Sequence, residues 1–507
     1  MRAAAALAAV LAVLTVAARA EPFGTTHPFN APVFAAVTGT AFAFMAPRTL
    51  DPIPIPEMAI RGLRSLSTLD RNLVAELHGN GIALLSGANP MLSVVPPVPT
   101  DAIAWGAATA EITRAAWNTS AAVRQAGNAG VTRAFFDELL SHLDAYSRYL
   151  PPQEAAEEME RRAGSAGIGV RLVRRGRAFV VVAVAPNSPA FDAAIQTGDS
   201  VLQIDDDSTQ GQSLDDVTAA LAGPEGSAVM LRLRARNGRV RDVTLQRALI
   251  PEQTVLLTRT RDLVTIRITS FADETADQLR TGLLTAVKDA RGLRGVVLDL
   301  RGNRGGVLRQ AIAAAELLVA HGLLARTMGR DPAADHDFQA NGEDLANGLP
   351  VVVLVDGQTA SSAEILAAAL ANRGRAVVVG SSTLGKGLVQ TVTNLPDGGE
   401  LFVTWSRVLA PAGWPIQALG VLPQVCTSLG RGELEAELRS LKDGREPLEE
   451  SLARRQEARP TTPPMDIIAI REACPAAEGR DSDMTVARFL LENPGAYATA
   501  LLEPAPE

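Results

Sequence analysis

Short stretches of alternating apolar and polar positions occupy residues 163–250. The alternation predicts strands at 169–173, 178–184, 200–204 and 229–235. One helix, at 213–221, interrupts these strands, with Ser213 as its N-cap and acidic residues in its first turn. The pattern therefore predicts a compact β-rich domain in this part of the chain.

Continuous apolar runs alternate with amphipathic segments in residues 251–430. The runs predict strands at 264–268, 295–300, 350–355 and 376–380, and the intervening segments predict helices at 275–290, 307–320 and 362–371. This alternation is typical of an α/β layer with a largely parallel sheet covered by helices. Functional residues are expected in the turns after the carboxyl ends of the strands.

The regions at the two ends of the chain have helical patterns. Residues 21–162 are mostly helical with Pro-rich interruptions, and residues 431–507 form a charged helical tail. Because the tail is charged and carries its own Pro-rich break, we expect it to be an appendage to the α/β core rather than part of it.

Residues 1–20 are typical of a cleaved export signal. Arg2 precedes an apolar stretch at 3–16, and Ala18-Arg19-Ala20 is a cleavage site before Glu21. The apolar stretch is too short to span a bilayer comfortably. We therefore expect a soluble protein in the periplasm or outside the cell. An uncleaved signal anchor is the alternative, because residues 32–47 are also rather apolar.

Composition and charge exclude several classes of protein. A hydrophobic fraction of 47% and a charged fraction of 21% exclude a disordered or coiled-coil chain, and the net charge of −8 argues against nucleic acid as the main partner. The five histidines lie far apart without metal-ligand spacing, so we expect no metal and no cofactor.

The chain has two cysteines, Cys426 and Cys474. In an oxidising compartment an even number of cysteines favours a disulfide, which would tie the C-terminal tail to the rest of the molecule. Two buried free thiols are the alternative.

Lysine is rare in this chain. Of the 48 basic residues only Lys288, Lys386 and Lys442 are lysines. Arginine stays protonated in proteins, whereas a desolvated lysine can lose its proton and act as a base. Such a base needs its pKa lowered from about 10.4 to about 7 or 8. Lys386 lies between Gly385 and Gly387, where backbone can crowd an amine, and it is the candidate base.

Ser361 lies between a predicted strand and a predicted helix. Ser361 and Glu364 have the spacing of a capping box, which is a structural interpretation of the motif. A serine at a helix N-terminus also lies beside unpaired amides that suit a developing oxyanion. The helix and the strand after it have similar lengths of roughly 16 Å, so the chain can bring Lys386 back to Ser361.

Two further segments supply candidate site residues. Gln390 follows Lys386 by four residues, and on a strand from 387 to 392 both side chains would lie on one face. An exposed strand glutamine is the alternative. Gly305 and Gly306 follow a buried strand, and their amides could complete an oxyanion hole. A phosphate-binding loop is disfavoured, because neither of the usual glycine-rich motifs is present.

The β-rich region resembles a PDZ domain. The resemblance rests on three segments in a fixed order, which are Gly167-Ile168-Gly169-Val170, Ser188-Pro189-Ala190 and Gly198-Asp199. It implies that Gly167, Ile168, Gly169 and Val170 bind a peptide's C-terminal carboxylate, while the peptide adds as a strand beside the domain.

The whole order of motifs resembles the carboxyl-terminal processing proteases of family S41. The motifs include Thr359-Ala360-Ser361-Ser362-Ala363-Glu364-Ile365, then Gly385-Lys386-Gly387, and a segment before the PDZ region at 143–150. The resemblance implies that Ser361 is the nucleophile, Lys386 the general base and Gln390 the residue that positions the lysine. The oxyanion hole would be formed by the amides of Ser362 and of Gly305 or Gly306.

The resemblance also implies an architecture and partners. The fold would be an α/β crotonase-like protease core with an inserted PDZ domain and helical N- and C-terminal regions. The substrates would be polypeptides with apolar C-termini, cut near those ends without a cofactor, and an activating adaptor protein or a homo-oligomer would be compatible with the family. A non-catalytic PDZ adaptor that binds protein C-termini is the alternative function.

Overall fold

The computed structural model describes residues 28–78, 81–163, 166–250, 252–260, 262–288 and 292–505. The expected export signal at 1–20 lies outside the described residues. Within them the chain forms two compact units, one from residues 28–42 and 55–139 and the other from 43–54 and 140–505. None of the helices in these ranges is both long enough and apolar enough to cross a membrane.

The first unit combines helices with a small sheet. Its elements and those that connect it to the second unit are α1 (Ala31–Arg48), α2 (Ile55–Leu63), α3 (Ser65–Leu69), β1 (Leu73–His78), β2 (Gly81–Ser86), β3 (Asn89–Val94), α4 (Ala102–Thr119) and α5 (Ala121–Ser141). The three strands form an antiparallel sheet in the order β1-β2-β3. The prediction of a mostly helical region at 21–162 did not include the strands at 73–94, where short apolar runs pair with one another.

The β-rich domain belongs to the second unit. After β4 (Arg148–Leu150) and α6 (Pro152–Ala163), it consists of β5 (Ala166–Gly167), β6 (Val170–Arg175), β7 (Ala178–Val184), α7 (Pro189–Asp192), β8 (Ser200–Ile204), β9 (Asp207–Ser208), α8 (Leu214–Leu221), β10 (Ala228–Arg234), β11 (Val240–Gln246) and β12 (Ala248–Leu249). Its main sheet has the order β11-β10-β8-β7-β6, and β5 pairs with β12. The four predicted strands and the predicted helix are confirmed. Phe179, Val217 and Leu231 are buried in a core of the domain's own.

The α/β region contains a mainly parallel sheet. Its elements are β13 (Val255–Arg259), β14 (Leu263–Ile268), α9 (Thr275–Lys288), β15 (Gly295–Asp299), α10 (Leu308–Glu316), β16 (Gly322–Gly329), β17 (His336–Ala340), β18 (Val351–Val355), α11 (Ser362–Asn372), β19 (Ala376–Gly380), β20 (Leu388–Asn394), β21 (Glu400–Leu409) and β22 (Val425–Cys426). The strand order is β13-β14-β15-β18-β19-β22, and only β13 is antiparallel to its neighbour. The predicted alternation of strands and helices is confirmed.

A second sheet lies in the same region and is antiparallel. Its order is β17-β16-β21-β20, and β4 pairs with β21. Apart from the strand considered at 387–392, which corresponds to β20, these strands were not predicted. The sheet matters for the site because β20 begins two residues after Lys386.

The C-terminal residues form part of the core. Their helices are α12 (Arg431–Lys442), α13 (Glu449–Glu457), α14 (Pro464–Glu472), α15 (Asp481–Glu492) and α16 (Pro494–Ala500). Val486, Leu490 and Ala500 are buried in one cluster with Val352 and Val377 of the parallel sheet. The expectation that the tail is an appendage is therefore wrong, because its apolar positions cover one face of that sheet.

Candidate active site

Three loops meet at one edge of the parallel sheet. Strands β15, β18 and β19 lie side by side and run in the same direction, so the loops after their carboxyl ends come together. The loop after β15 contains Gly305 and Gly306, the loop after β18 ends at Ser361, and the loop after β19 contains Lys386. The topology therefore gathers the predicted site residues from segments that are distant in sequence.

Asp356 fixes the loop that leads to Ser361. Its Oδ1 accepts hydrogen bonds from the backbone N–H groups of Gly302, Gln358 and Thr359, at 3.0, 3.0 and 2.9 Å. Gly302 belongs to the loop after β15, so one buried carboxylate holds two of the three loops. The third loop is attached by the Leu384 N–H, which donates to Thr359 O at 3.0 Å.

Ser361 has an unusual backbone conformation. Its φ is 57° and its ψ is −121°, at the N-cap position of α11. A positive φ is rare for a residue with a side chain, and strain of this kind clusters at functional sites. The turn places Ser361 next to the first N–H groups of α11, which have no partner within the helix.

Glu364 connects the serine loop to the lysine loop. Its Oε2 accepts the backbone N–H of Ser361 at 2.8 Å and that of Lys386 at 2.9 Å. The two backbone nitrogens therefore lie within roughly 6 Å of each other. Oε1 accepts the N–H of Gly385 at 2.6 Å and the hydroxyl of Thr383. The sequence predicted Glu364 only as a capping residue, and its contacts with the lysine loop were missed.

Burial and hydrogen bonding act in opposite directions on Glu364. Its side chain is fully buried, and burial raises the pKa of this carboxyl above its ordinary value. The donors from Thr383, Gly385, Lys386 and Ser361 favour the ionised form and lower the pKa. With four donors, the carboxylate is well satisfied in a position where an unpaired one would be costly.

The surroundings of Lys386 lower the pKa of its amine. The residue is half-buried, and its Nζ lies 4.8 Å from the centre of the Tyr146 ring. Within the described part of the chain, Nζ forms no hydrogen bond or ion pair. Burial lowers the pKa of the amine, the nearby Arg148 guanidinium lowers it further, and Glu364 opposes both. Tyr146 and Arg148 belong to the segment at 143–150 that contributed to the resemblance, but their position beside Lys386 could not be predicted from the sequence.

The glycines of the β15 loop do not have equal roles. The Gly305 N–H donates to Asn303 Oδ1 at 2.8 Å, so this amide already has a partner inside the loop. The Ser362 hydroxyl donates to Gly306 O at 2.8 Å, which holds Gly306 against the start of α11. Of the two glycine amides predicted for the oxyanion hole, that of Gly305 is therefore already engaged.

A side chain cannot replace the hydrogen at Gly305. A Cβ there would lie 2.7 Å from the Cβ of Ser361 and 2.9 Å from the backbone nitrogen of Ser362, and φ is 93°. Glycine is needed because the loop approaches the serine turn this closely.

Gln390 contacts Thr404 instead of the lysine. Its Nε2 donates to Thr404 Oγ1 at 3.1 Å and to Leu388 O at 3.3 Å. Strand β20 begins at Leu388, and the pairing register shifts between Val389 and Gln390. The residue without a partner in the register is Trp405 of β21, and Lys386 itself precedes β20, so the alternation along that strand does not extend to the lysine. Thr404 in turn donates to Asp144 Oδ1 at 2.8 Å.

Comparisons with known proteins identify the family to which this chain belongs. Residues 262–427 match the model of peptidase family S41, and residues 166–246 match that of the PDZ domain. The carboxy-terminal-processing protease of Bartonella bacilliformis is 30% identical over 295 residues, which cover 57% of this chain and 67% of that protein. The chain belongs to peptidase family S41.

Two further relatives of this S41 peptidase are informative. The carboxy-terminal processing protease CtpA of Bacillus subtilis is 32% identical over 289 residues, covering 56% of this chain and 61% of that protein. The solved structure of a photosystem II D1 C-terminal processing protease is 26% identical, with coverage of 72% of this chain and 92% of that one and a TM-score of 0.37. The curated relatives are matched over about three fifths to two thirds of their length.

The peptide-binding loop expected in the PDZ domain of this S41 peptidase is packed tightly. Gly169 has a φ of 82°, and a Cβ there would lie 2.3 Å from the Cβ of Ser188. The N–H of Ala190 donates to Ile168 O at 2.9 Å. The Gly-Ile-Gly and Ser-Pro-Ala segments of the sequence are therefore in direct contact, which explains why they occur together.

A C-terminal segment lies against two of the three loops that meet at the site, those after β18 and β19. We call residues 474–480, between α14 and α15, the C-terminal strap. Ala477 O accepts the N–H of Gly357, and the Ser381 hydroxyl donates to the same oxygen at 2.9 Å. The Ser382 N–H donates to Cys474 O, and the Gly479 N–H donates to Asp356 Oδ2. The strap therefore contacts the loops of both Ser361 and Lys386.

The strap is anchored by a disulfide and an ion pair. Cys474 is bonded to Cys426 of β22, as the even number of cysteines favoured. Arg301, on the loop after β15, binds both Asp299 oxygens at 2.9 Å and reaches Asp483 at 3.1 Å, just beyond the strap. These contacts raise the pKa of Arg301 above its ordinary value. The C-terminal region thus joins all three loops of the site.

Proposed function

We propose that this S41 peptidase is an exported serine endopeptidase with a Ser361–Lys386 catalytic pair. It cleaves polypeptides near their C-termini after its PDZ domain has bound an apolar tail. The observation that carries the proposal is the pair of hydrogen bonds from the Ser361 and Lys386 backbones to one oxygen of Glu364. They support the proposal because they hold the backbones of the two residues close together.

The reaction begins with the neutral amine of Lys386. This amine accepts the proton of the Ser361 hydroxyl as the oxygen attacks the scissile carbonyl carbon. The carbonyl oxygen becomes an oxyanion, which accepts hydrogen bonds from the amides of Ser362 and Gly306. The positive end of α11 points at the same place and stabilises the negative charge.

The second half of the reaction returns the proton. The Lys386 ammonium gives its proton to the leaving amine, and the peptide bond breaks to leave an acyl ester on Ser361. The neutral Lys386 then takes a proton from water, the resulting hydroxide attacks the ester, and the acid product leaves as Ser361 regains its proton. Gln390 acts at a distance, through Thr404 and the Asp144 turn that precedes Tyr146.

The PDZ domain supplies recognition in this proposal. The loop from Gly167 to Val170 takes the substrate carboxylate, and apolar side chains on β6 and α8 take the end of the tail. Leu172 and Val217 face each other in the domain core, with Val170 and Leu214 packed at its margin. We also propose a crotonase-like type for the α/β core, which the layered sheet and helices support, and removal of residues 1–20 on export.

Cleavage of an unfolded reporter with an apolar C-terminus tests the catalytic proposal. Wild-type protein should cleave it, and Ser361→Ala and Lys386→Ala should not. Lys288→Ala is the matched control, since Lys288 is an exposed lysine at the end of α9 and should leave cleavage unchanged. If all variants bind the reporter and the wild type does not cleave it, the chain is better described as a PDZ adaptor. N-terminal sequencing of the exported protein should begin at Glu21.

A further inference from the structure

The β6–β7 hairpin of the PDZ domain has a concentrated positive charge. Within residues 170–178 there are four arginines and no acidic residue, although the chain as a whole has a net charge of −8. The arginines are Arg171, Arg174, Arg175 and Arg177, and all four are exposed. A local charge of this sign is unusual on a chain that is acidic overall.

These arginines lack acidic partners. Among the residues that the structure describes, none of the four forms an ion pair. Arg174 donates to the backbone oxygen of Gly176 at 3.2 Å and lies near the Phe179 ring, at 5.9 Å. By contrast, Arg232 on β10 is paired with Asp242 at 2.8 Å. The positive charge of the hairpin is therefore available to pair with an acidic group outside the domain.

The hairpin lies beside a free strand edge that starts at the peptide-binding loop. Strand β6 is the last strand of its sheet, and no described strand pairs with its outer edge. It begins at Val170, directly after Gly167-Ile168-Gly169, and ends at Arg175. A peptide held by its carboxylate at that loop and added along β6 would run towards the arginines.

The length of β6 gives the position of the contact along the peptide. A strand advances about 3.3 Å per residue, so the six residues of β6 span roughly 20 Å. The last residues of the peptide would lie beside Val170 and Leu172. About the fourth to seventh residues from its end would lie beside Arg174, Arg175 and Arg177.

In the proposed arrangement the peptide lies in a groove between β6 and α8, and α8 does not share the positive charge of the hairpin. Helix α8 begins with Asp215 and Asp216, and Asp216 accepts the N–H and the hydroxyl of Ser213. The positive charge therefore lies on the hairpin side, and three of its four arginines, Arg174, Arg175 and Arg177, lie at the end remote from the carboxylate loop.

We propose that the β6–β7 hairpin selects polypeptide tails that carry acidic residues just upstream of their apolar C-terminal end. The inference rests on the proposed function of the PDZ domain and names the substrate class more closely. Carboxylate side chains in the peptide would pair with Arg174, Arg175 and Arg177, while the apolar end occupies the groove between β6 and α8. Exposed pairs of this kind add modest affinity each and are weakened by salt.

Peptide binding to the full chain with Ser361→Ala tests the proposal. Two labelled peptides share the same apolar end and differ only upstream, where one has Glu and the other Gln at the fourth to seventh positions from the end. At low salt, fluorescence anisotropy should show about tenfold tighter binding of the Glu peptide. In about 0.5 M NaCl the preference should fall below about twofold.

Two triple variants identify the residues responsible. Arg174→Gln, Arg175→Gln and Arg177→Gln together should abolish the preference for the Glu peptide and leave the affinity for the Gln peptide unchanged. Arg234→Gln, Arg236→Gln and Arg239→Gln together make the same change in charge on the β10–β11 hairpin, at the other edge of the sheet. This control should retain the preference.

The possible failures are distinguishable. If the Gln peptide binds and the Glu peptide binds no better, the inference is wrong and the PDZ proposal stands. If neither peptide binds, both are wrong. If the hairpin arginines instead drive sedimentation with anionic phosphatidylglycerol vesicles, with no difference between the peptides, the hairpin binds membrane surface rather than polypeptide tails.

Discussion

At the residue scale, the site depends on the surroundings that lower the pKa of one amine, that of Lys386. The Lys386 Nζ lies 4.8 Å from the centre of the Tyr146 ring, and among the described residues it forms no ion pair. Burial and the Arg148 guanidinium disfavour the ammonium form, whereas Glu364 and the face of the aromatic ring favour it, and the pKa of the amine is lowered as a result. An arginine could not replace it, because its guanidinium stays protonated.

The pH dependence of cleavage should report this amine. Only the neutral form of Lys386 accepts the serine proton, so kcat/KM should rise as pH rises through the pKa of the amine. Because that pKa is lowered, the midpoint should lie below the ordinary value of 10.5. Initial rates on a short peptide substrate, measured from about pH 6 to pH 10, give the midpoint.

Variants separate the role of the amine from that of its charge. Lys386→Arg keeps the positive charge and should lose at least about 10³-fold in kcat/KM at every pH. Arg148→Gln removes one cause of the lowered pKa and should move the midpoint upward. A midpoint that stays in place in Arg148→Gln would mean that burial alone sets the pKa.

The sequence could predict which residues meet at the site better than it could predict the contacts that hold them there. Ser361 and Lys386 stand out because of their motif and the scarcity of lysine. The positive φ of Ser361 and the contacts of Glu364 with the lysine loop depend on three loops meeting in space, which no local pattern encodes. Gln390 shows the same limit, since its amide donates to Thr404 of the neighbouring strand β21, a contact that the pattern along one strand does not encode.

At the scale of elements, the C-terminal strap links parts of the site that the sheet alone does not hold. The loops after β18 and β19 each donate hydrogen bonds to the strap. The strap is fixed at its start by the Cys426–Cys474 disulfide. Local patterns predicted most strands and helices of the sheet correctly. They could not predict this strap, because its hydrogen bonds are made by backbone groups far apart in sequence.

Removal of the disulfide should reduce both stability and activity. The bond closes a loop with a sequence separation of 48, for which the chain-entropy model gives a stabilisation of about 4 kcal/mol. Cys426→Ser combined with Cys474→Ser should therefore lower the free energy of unfolding by about 2 to 4 kcal/mol. Guanidinium unfolding and cleavage assays on the same samples measure the two effects.

A reductant supplies the control for this variant. Wild-type protein treated with dithiothreitol should approach the double variant in activity, and the double variant itself should not respond to the reductant. If the variant loses stability and keeps its full kcat, the strap holds its position without the covalent bond.

At the scale of the whole molecule, the parallel sheet is covered on one face by its own crossover helices and on the other by the C-terminal helices. Leu354 and Val379 point into the cluster that contains Leu490 and Ala500. The charged residues of α12 and α13 made the tail resemble a solvated appendage. Their apolar positions are few, and only the fold reveals that α12, with α15 and α16, completes the second layer, while Leu452 of α13 is buried in the other cluster.

A chain that ends at residue 480 should therefore fail to fold. Loss of α15 and α16 would expose the strand face that contains Val352, Val377 and their neighbours, which are fully buried in the complete protein. Each such side chain contributes about 1.5 to 3 kcal/mol on burial, and a domain's net stability is only about 5 to 15 kcal/mol. The truncated chain should be insoluble or lack a cooperative thermal transition, as circular dichroism and sedimentation would show.

Single substitutions distinguish the loss of packing in the buried cluster from the loss of the C-terminal helices themselves. Leu490→Glu places a charge in the buried cluster and should reproduce much of the defect, because an unpaired buried carboxylate is strongly disfavoured. Met465→Glu is the matched control, since Met465 is 72% exposed on α14 and should leave the melting temperature nearly unchanged. If the chain ending at 480 melts cooperatively and still cleaves peptides, the C-terminal helices are an appendage after all, and the site loops must be held by the sheet alone.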